Sequence, residues 1–162
     1  MNPMHICFLY LGTKQHPMLK IYSSVCLFIA MFLVSTNARA QQNTEVKMHN
    51  VVVQLNTADT ASWSSVIGNI KNIQKAWPTH LNVEVVVHGK ALDFLVKDKT
   101  FFAQDVELLA SQGVKFNACQ NTMRKHNITP DMLLKVAGIV PSGVVEVIMK
   151  QEEGWSYLKS GL

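Results

Sequence analysis

Apolar residues in this chain switch repeatedly between short β-branched runs and a helical spacing of three and four. His49–Leu55, HNVVVQL, is a β-branched run that predicts a buried strand. A polar break over residues 56–60 follows. Thr60 or Ser62 then serves as the cap of a helix reaching about Trp77, with Trp63, Val66, Ile67, Ile70 and Ile73 on one face. Pro78 ends it. Residues 83–87 predict a second strand, closed by His88-Gly89, and residues 91–96 a short helical turn. Residues 101–111 predict a second helix that carries Phe102, Val106, Leu109 and Ala110 on one side, with Gly113 as its C-cap. A third strand spans residues 114–118, and a short helix starts after Cys119. In ITPDMLLKVA, Thr129 is placed to cap a further helix with Pro130 at its first position and Asp131 at its positive end. Gly138-Ile139-Val140 fits a very short fourth strand.

The stretch after the Pro141-Ser142-Gly143 turn is ambiguous. Its β-branched residues favour a strand, yet Val144, Val147, Ile148 and Gln151 share one helical face and Gly154 suits a C-cap. The helix is preferred, with a last strand over residues 155–158. Strands alternating with helices predict an α/β fold, a parallel sheet covered on both faces. Such a sheet opens its strand-end loops on one edge. Three of these loops carry Asn56-Thr57, His88-Gly89 and Cys119-Gln120-Asn121-Thr122.

The N-terminal quarter has a different pattern. Lys20, ten apolar residues over 25–34 and the small-x-small Ala38-Arg39-Ala40 form a secretory signal, with cleavage expected before Gln41. Ten apolar residues are too few to span the roughly 30 Å of a bilayer core, so no lasting membrane anchor is expected. Residues 1–17 precede Met18, an alternative start. Residues 41–162 then form one domain, placed in the periplasm or secreted. Within it twelve Lys and Arg face eleven Asp and Glu, so the net charge is +1 rather than the +4 of the whole chain. That balance gives no support for a nucleic-acid partner. Cys7 and Cys26 leave with the signal, and Cys119 remains without a disulfide partner.

Cys119 has two readings. At a helix start, free N–H groups would favour the thiolate, which is the nucleophile and the form that attacks sulfur. Free cysteine is also a common inert core residue. His88 could relay a proton or pair with the thiolate, or simply bond a neighbouring carbonyl. Asn56 and Thr57 could line the same pocket or be plain turn residues. There is no Cys-x-x-Cys, no zinc-ligand spacing around Cys119 and His126, and no glycine-rich phosphate loop after a strand. Metal and cofactor are therefore expected to be absent, and a metal-dependent hydrolase lacks its carboxylate–histidine cluster. Met123, Met132 and Met149 read as core fillers.

The segments VVVHGKALDFL, GVKFNACQNTM and ITPDMLLKVAGIVPSGVVEVIMKQEEGWSYLKSGL resemble the DsrE/DsrF-like family, in particular its small exported or stand-alone members. The similarity runs over residues 49–161, and the block 140–161 is its most specific part. The resemblance implies a three-layer α/β sandwich with a mostly parallel five-stranded sheet. It also implies assembly as a homo- or hetero-oligomer, commonly a trimer or hexamer. In sulfur-relay members the cysteine matched by Cys119 carries a persulfide and hands the sulfur to a partner protein. The expectation is an exported sulfur-binding or sulfur-transfer protein, with His88, Asn56, Thr57, Gln120 and Asn121 around Cys119. The alternative is a non-catalytic, oligomeric small-ligand-binding or assembly module that uses the same cleft. The family's relay members are cytoplasmic, whereas this chain carries an export pattern.

Overall fold

A computed structural model of the chain describes residues 47–160. The expected signal segment and its cleavage point before Gln41 lie outside the described residues. Five strands, β1 (His49–Leu55), β2 (Leu81–Val87), β3 (Lys115–Cys119), β4 (Ala137–Val140) and β5 (Ser156–Ser160), form one sheet in the order β4-β3-β2-β1-β5. Every neighbouring pair is parallel. The helices are α1 (Thr60–Ala76), α2 (Ala103–Ser111), α3 (Gln120–Lys125) and α4 (Gly143–Glu152).

Strand order dictates where the helices go. From β1 to β4 the chain steps across the sheet in one direction, so right-handed crossovers keep α1, α2 and α3 on one face. The step from β4 back to β5 reverses direction and sends α4 to the other face. The two faces follow the alternation within each strand. Val51, Val53 and Leu55 of β1, with Val83, Val85 and Val87 of β2, join Trp63, Val66 and Ile70 of α1, Val106 and Leu109 of α2 and Met123 of α3 in the main core. Val52 and Val86 point the other way and meet Val147 of α4, with Trp155 packed alongside.

Several sequence expectations need correction. Asp59, not Thr60 or Ser62, caps α1: its carboxylate accepts from the N–H groups of Ala61 (3.2 Å) and Ser62 (3.0 Å) and from the Ser62 hydroxyl (2.7 Å). Of the turn expected over residues 91–96, residues 91–95 belong to a 3₁₀ segment, Gly89–Leu95, and Val96 is its C-cap. Thr129 and Pro130 open only a 3₁₀ turn, Pro130–Met132. Tertiary pairing ends it: Leu133 bridges Val96 in antiparallel fashion, and the Leu134 N–H donates to Leu95 O at 2.9 Å. Met123 is buried, but Met132 and Met149 are exposed.

Helix α4 is amphipathic in the inverted sense. Gly143 and Val147 are buried and Glu146 and Lys150 half-buried against the sheet, while Val144, Val145, Ile148 and Met149 are about half exposed. Of the apolar residues placed on one face by periodicity, only Val147 is covered. The inward carboxylate of Glu146 lies by Glu84, a strand residue only 3 % exposed that accepts from Asn117 Nδ2 at 2.8 Å.

Candidate functional site

Cys119 ends β3 and occupies the N-cap position of α3. Its Cβ faces the first residue of α4. A Cβ built on Gly143 would lie 3.2 Å from that of Cys119 and 2.9 Å from that of His88. Three segments far apart in sequence, the ends of β2 and β3 and the start of α4, therefore converge at a point where only glycine fits.

The sulfur is largely covered, with the residue 5 % exposed. Yet its cover is polar on one side. Burial pushes the Cys119 thiol up; the Thr122 hydroxyl and the N–H groups of Gly143, Thr122 and Asn121 outweigh it and bring the pKa below the ordinary 9.0. The Cys119 side chain makes no capping hydrogen bond to α3. Thr122 also accepts from the Gly89 N–H at 3.1 Å, which ties the loop after β2 to α3. Gly89 sits at φ +58°, left-handed backbone that favours glycine.

His88 leaves β2 with its N–H donating to Leu55 O at 3.0 Å. Its ring is half-buried, and burial pushes its pKa below the ordinary 6.5. The imidazole Nε2 lies 2.8 Å from Gln54 Nε2, and the Tyr157 hydroxyl donates to Gln54 Oε1. Neither Gln54 nor Tyr157 is among the residues that the sequence nominates for the site. Thr122 stood in the loop, but its bridging role depends on Gly89 arriving from another strand.

The other nominated residues separate. Asn121 contributes its backbone N–H to the thiol, while its side-chain Oδ1 accepts from Arg124. Gln120 is exposed on α3. Asn56 is exposed; its carbonyl lies 3.6 Å from where a Gly89 Cβ would be. Thr57 is a turn residue whose hydroxyl accepts from the Asp59 N–H (3.2 Å) and whose carbonyl accepts from Trp63 Nε1 (2.8 Å). Among the described residues, no group of three or more His, Cys, Asp or Glu is arranged to hold a metal ion. A surface cleft of about 490 Å³, lined by Trp77, Pro78, His80 and Val114 among others, includes none of the nominated site residues. No helix among the described residues is long and apolar enough to cross a membrane.

The family model for the DsrE/DsrF-like family matches residues 30–160. The chain belongs to the DsrE/DsrF-like family. Protein MTH1491 of Methanobacterium thermoautotrophicum, described as of unknown function, is similar at 32 % identity with a TM-score of 0.66. That match covers 68 % of this chain and 98 % of the archaeal one. The ychN protein of E. coli shares the fold at 17 % identity and a TM-score of 0.57, over 69 % of this chain and 99 % of its own. BT1422 of Bacteroides thetaiotaomicron does so at 12 % and 0.53, over 67 % of this chain and 92 % of its own. No curated protein matches the chain. The DsrE/DsrF-like assignment agrees with the all-parallel five-stranded sheet and accounts for α4 as a helix.

Proposed function

We propose that this DsrE/DsrF-like protein is an exported sulfur carrier that holds sulfane sulfur as a persulfide on Cys119. The carrying observation is the polar cover of the thiol, in which Thr122 and three backbone N–H groups favour the anion despite burial. In loading, the Cys119 thiolate attacks the outer sulfur of a donor persulfide. A new S–S bond forms on Cys119, the donor's S–S bond breaks, and the donor leaves as a thiolate. No external oxidant or reductant enters. Unloading is the same exchange to an acceptor thiolate. Donor and acceptor are therefore thiol-bearing partners, and the enzyme class, if any, is sulfurtransferase-like.

Two further parts belong to the proposal. Residues 1–40 act as a cleaved signal that sends residues 41–162 to the periplasm or outside the cell. The domain also assembles as a homo-oligomer, a trimer or hexamer. The inverted α4 supports this, because Val144, Val145, Ile148 and Met149 form an apolar face that a second copy would cover.

One observation favours a second reading. A cysteine residue only 5 % exposed suits a non-catalytic ligand-binding or assembly module in which Cys119 only packs. Intact-mass measurement after exposure to polysulfide separates the two. The carrier gains the mass of whole sulfur atoms on Cys119, and Cys119→Ser does not. A chain that never loads, and whose thiol alkylates only after denaturation, is the module. The mature N-terminus, read from the same spectra, begins at Gln41 if export is correct.

A further inference from the structure

We propose that Glu84 on β2 and Glu146 on α4 share one proton, and that this proton latches α4 onto the sheet and so keeps the Gly143 N–H on the Cys119 sulfur. The latch is a pH-sensitive device set one helical turn along α4 from Gly143. The argument starts from register. Val86 meets Val147 of α4, and Glu84 stands two residues earlier on the same face of β2. Asn117 pairs with Val86, shares that face, and donates from Nδ2 to Glu84 Oε1 at 2.8 Å. Glu84 is only 3 % exposed, and Glu146, the neighbour of Val147, brings a second carboxyl onto it.

Two adjacent carboxylates in a covered place oppose each other's ionisation unless a cation offsets them. Lys150 is the cation of this cluster, and it is divided: its Nζ lies 2.9 Å from Glu153 and 3.8 Å from Glu146. The other charged groups on this face stand off. Lys115, the register partner of Glu84 on β3, is exposed, as are Lys159 on β5 and Glu152 on α4 itself. Strands β1 and β4 bring no titratable side chain to this face, the Tyr157 hydroxyl of β5 bonds Gln54, and His88 and Cys119 lie at the Gly143 end. A proton between Glu84 and Glu146 removes one charge and ties helix to strand. It passes to water as pH rises through the raised Glu146 value. The tie matters because the buried apolar seat of α4 is small, Val147 on Val52 and Val86. A segment with few buried apolar contacts opens locally. Gly143 packs against Cys119 and His88 and gives its N–H to the thiol. Loss of the proton therefore lifts a donor from the sulfur, and the thiol becomes harder to ionise.

The latch does not depend on whether Cys119 carries sulfur. Carbon-13 carboxyl spectra of the full chain, assigned through Glu84→Gln and Glu146→Gln, follow the pair directly. The expected result is coupled titration of the two signals in two separated steps, the upper one above the ordinary 4.5. Thiolate absorbance, read against Cys119→Ser, follows the sulfur without any need for reagent access. Glu146→Gln keeps helix and strand tied at every pH. Above the upper carboxyl step it should hold about threefold more thiolate than wild type, until both chains are fully ionised. Two independent titrations at ordinary carboxylate values overturn the shared proton. Equal thiolate profiles in wild type and a folded Glu146→Gln overturn the coupling to Cys119. Should the variants not fold, amide exchange of the wild type decides. Protection of α4 should fall relative to that of α1 as pH rises through the upper step, and parallel protection in the two helices overturns the latch. A chain that passes these tests but never loads sulfur removes the carrier reading and leaves the latch standing.

Discussion

Gly143 and His88 meet so closely that a Cβ on residue 143 would lie 2.9 Å from the His88 Cβ. Real Cβ atoms do not approach so near, and the neighbour here is the stiff base of a side chain. The same added atom would lie 3.2 Å from the Cys119 Cβ. Gly143→Ala must therefore push α4 away from both residues. The expected loss of stability is about 1–3 kcal/mol, as for other overpacked sites. The loss of thiol reactivity should be larger than global stability explains, because the residue 143 N–H moves off the sulfur. Denaturant unfolding and the pH dependence of alkylation measure the two effects separately. Wild-type alkylation rates in a stable Gly143→Ala chain would show that the N–H does not favour the thiolate.

Thr122 offers a second handle on the same sulfur. Its hydroxyl accepts from the Gly89 N–H and is the leading group that lowers the thiol pKa. Thr122→Val keeps the shape and removes the hydroxyl. A hydrogen bond to a charged group contributes about 1.5–3 kcal/mol, so alkylation near neutral pH should slow about tenfold or more. Thr122→Ser should restore most of the rate. The sign of the pH effect on stability follows from the depressed pKa. Thiolate stabilisation is fully present above the unfolded-state value and is lost as pH falls through the folded-state value. Wild type should thus gain stability relative to Cys119→Ser on going from neutral to alkaline pH.

Much of this layout was legible beforehand, and the exceptions have physical causes. The runs in β1 and β2 and the 3, 4 spacing of α1 reflect elements that bury a whole face, so pattern and structure agree. Cys119 and His88 were marked because a parallel sheet gathers strand ends on one edge. Gly143 was not, since its role exists only where α4 crosses back over the sheet. Tyr157 and Gln54 were missed for the same reason. The Pro130 helix failed where Leu133 and Leu134 were drawn into pairing with the 95–96 segment. For α4 the periodicity was right and the inward face wrong, because the usual rule puts apolar residues against the sheet. Glu84 also went unnoticed inside an otherwise apolar strand. Its burial depends on Asn117, which has room because a Cβ at Gly138 would lie 2.2 Å from its Oδ1.

That buried carboxylate makes a prediction about Glu146. Burial raises the Glu146 pKa above its ordinary 4.5, and the charge and hydrogen bond of Glu84 raise it further, against the pull of Lys150. A raised carboxyl pKa means that the folded state holds a proton more tightly than the unfolded chain. Its stabilisation is present below the unfolded value and lost as pH rises through the folded one. Glu146→Gln keeps the shape and a donor toward Glu84 without the second charge. It should stabilise the domain by about 1 kcal/mol at neutral and alkaline pH, with the gain shrinking toward pH 4. Urea midpoints across that range would show it. A gain independent of pH would point to packing, and a loss would mean that the Lys150 ion pair, at 3.8 Å, outweighs the repulsion.

The outer face of α4 gives the last test. Ile148 is 49 % exposed and projects from a helix whose Glu146 and Lys150 already face inward. Nothing within the described residues gains from its being apolar, so a covering copy is the natural reason for it. Ile148→Glu places a charge in the middle of that face. In an isolated domain the change is at the surface and should alter stability by no more than about 0.5 kcal/mol. In an assembly it buries an unpaired charge, which is strongly unfavourable, so the variant should run as a monomer. Light scattering on wild type and variant reads the mass directly. A wild type that is monomeric at micromolar concentration, or an Ile148→Glu chain that keeps the wild-type mass, would mean that α4 is not the contact. If the variant is monomeric and still loads sulfur on Cys119, assembly and sulfur carriage are separable properties of the domain.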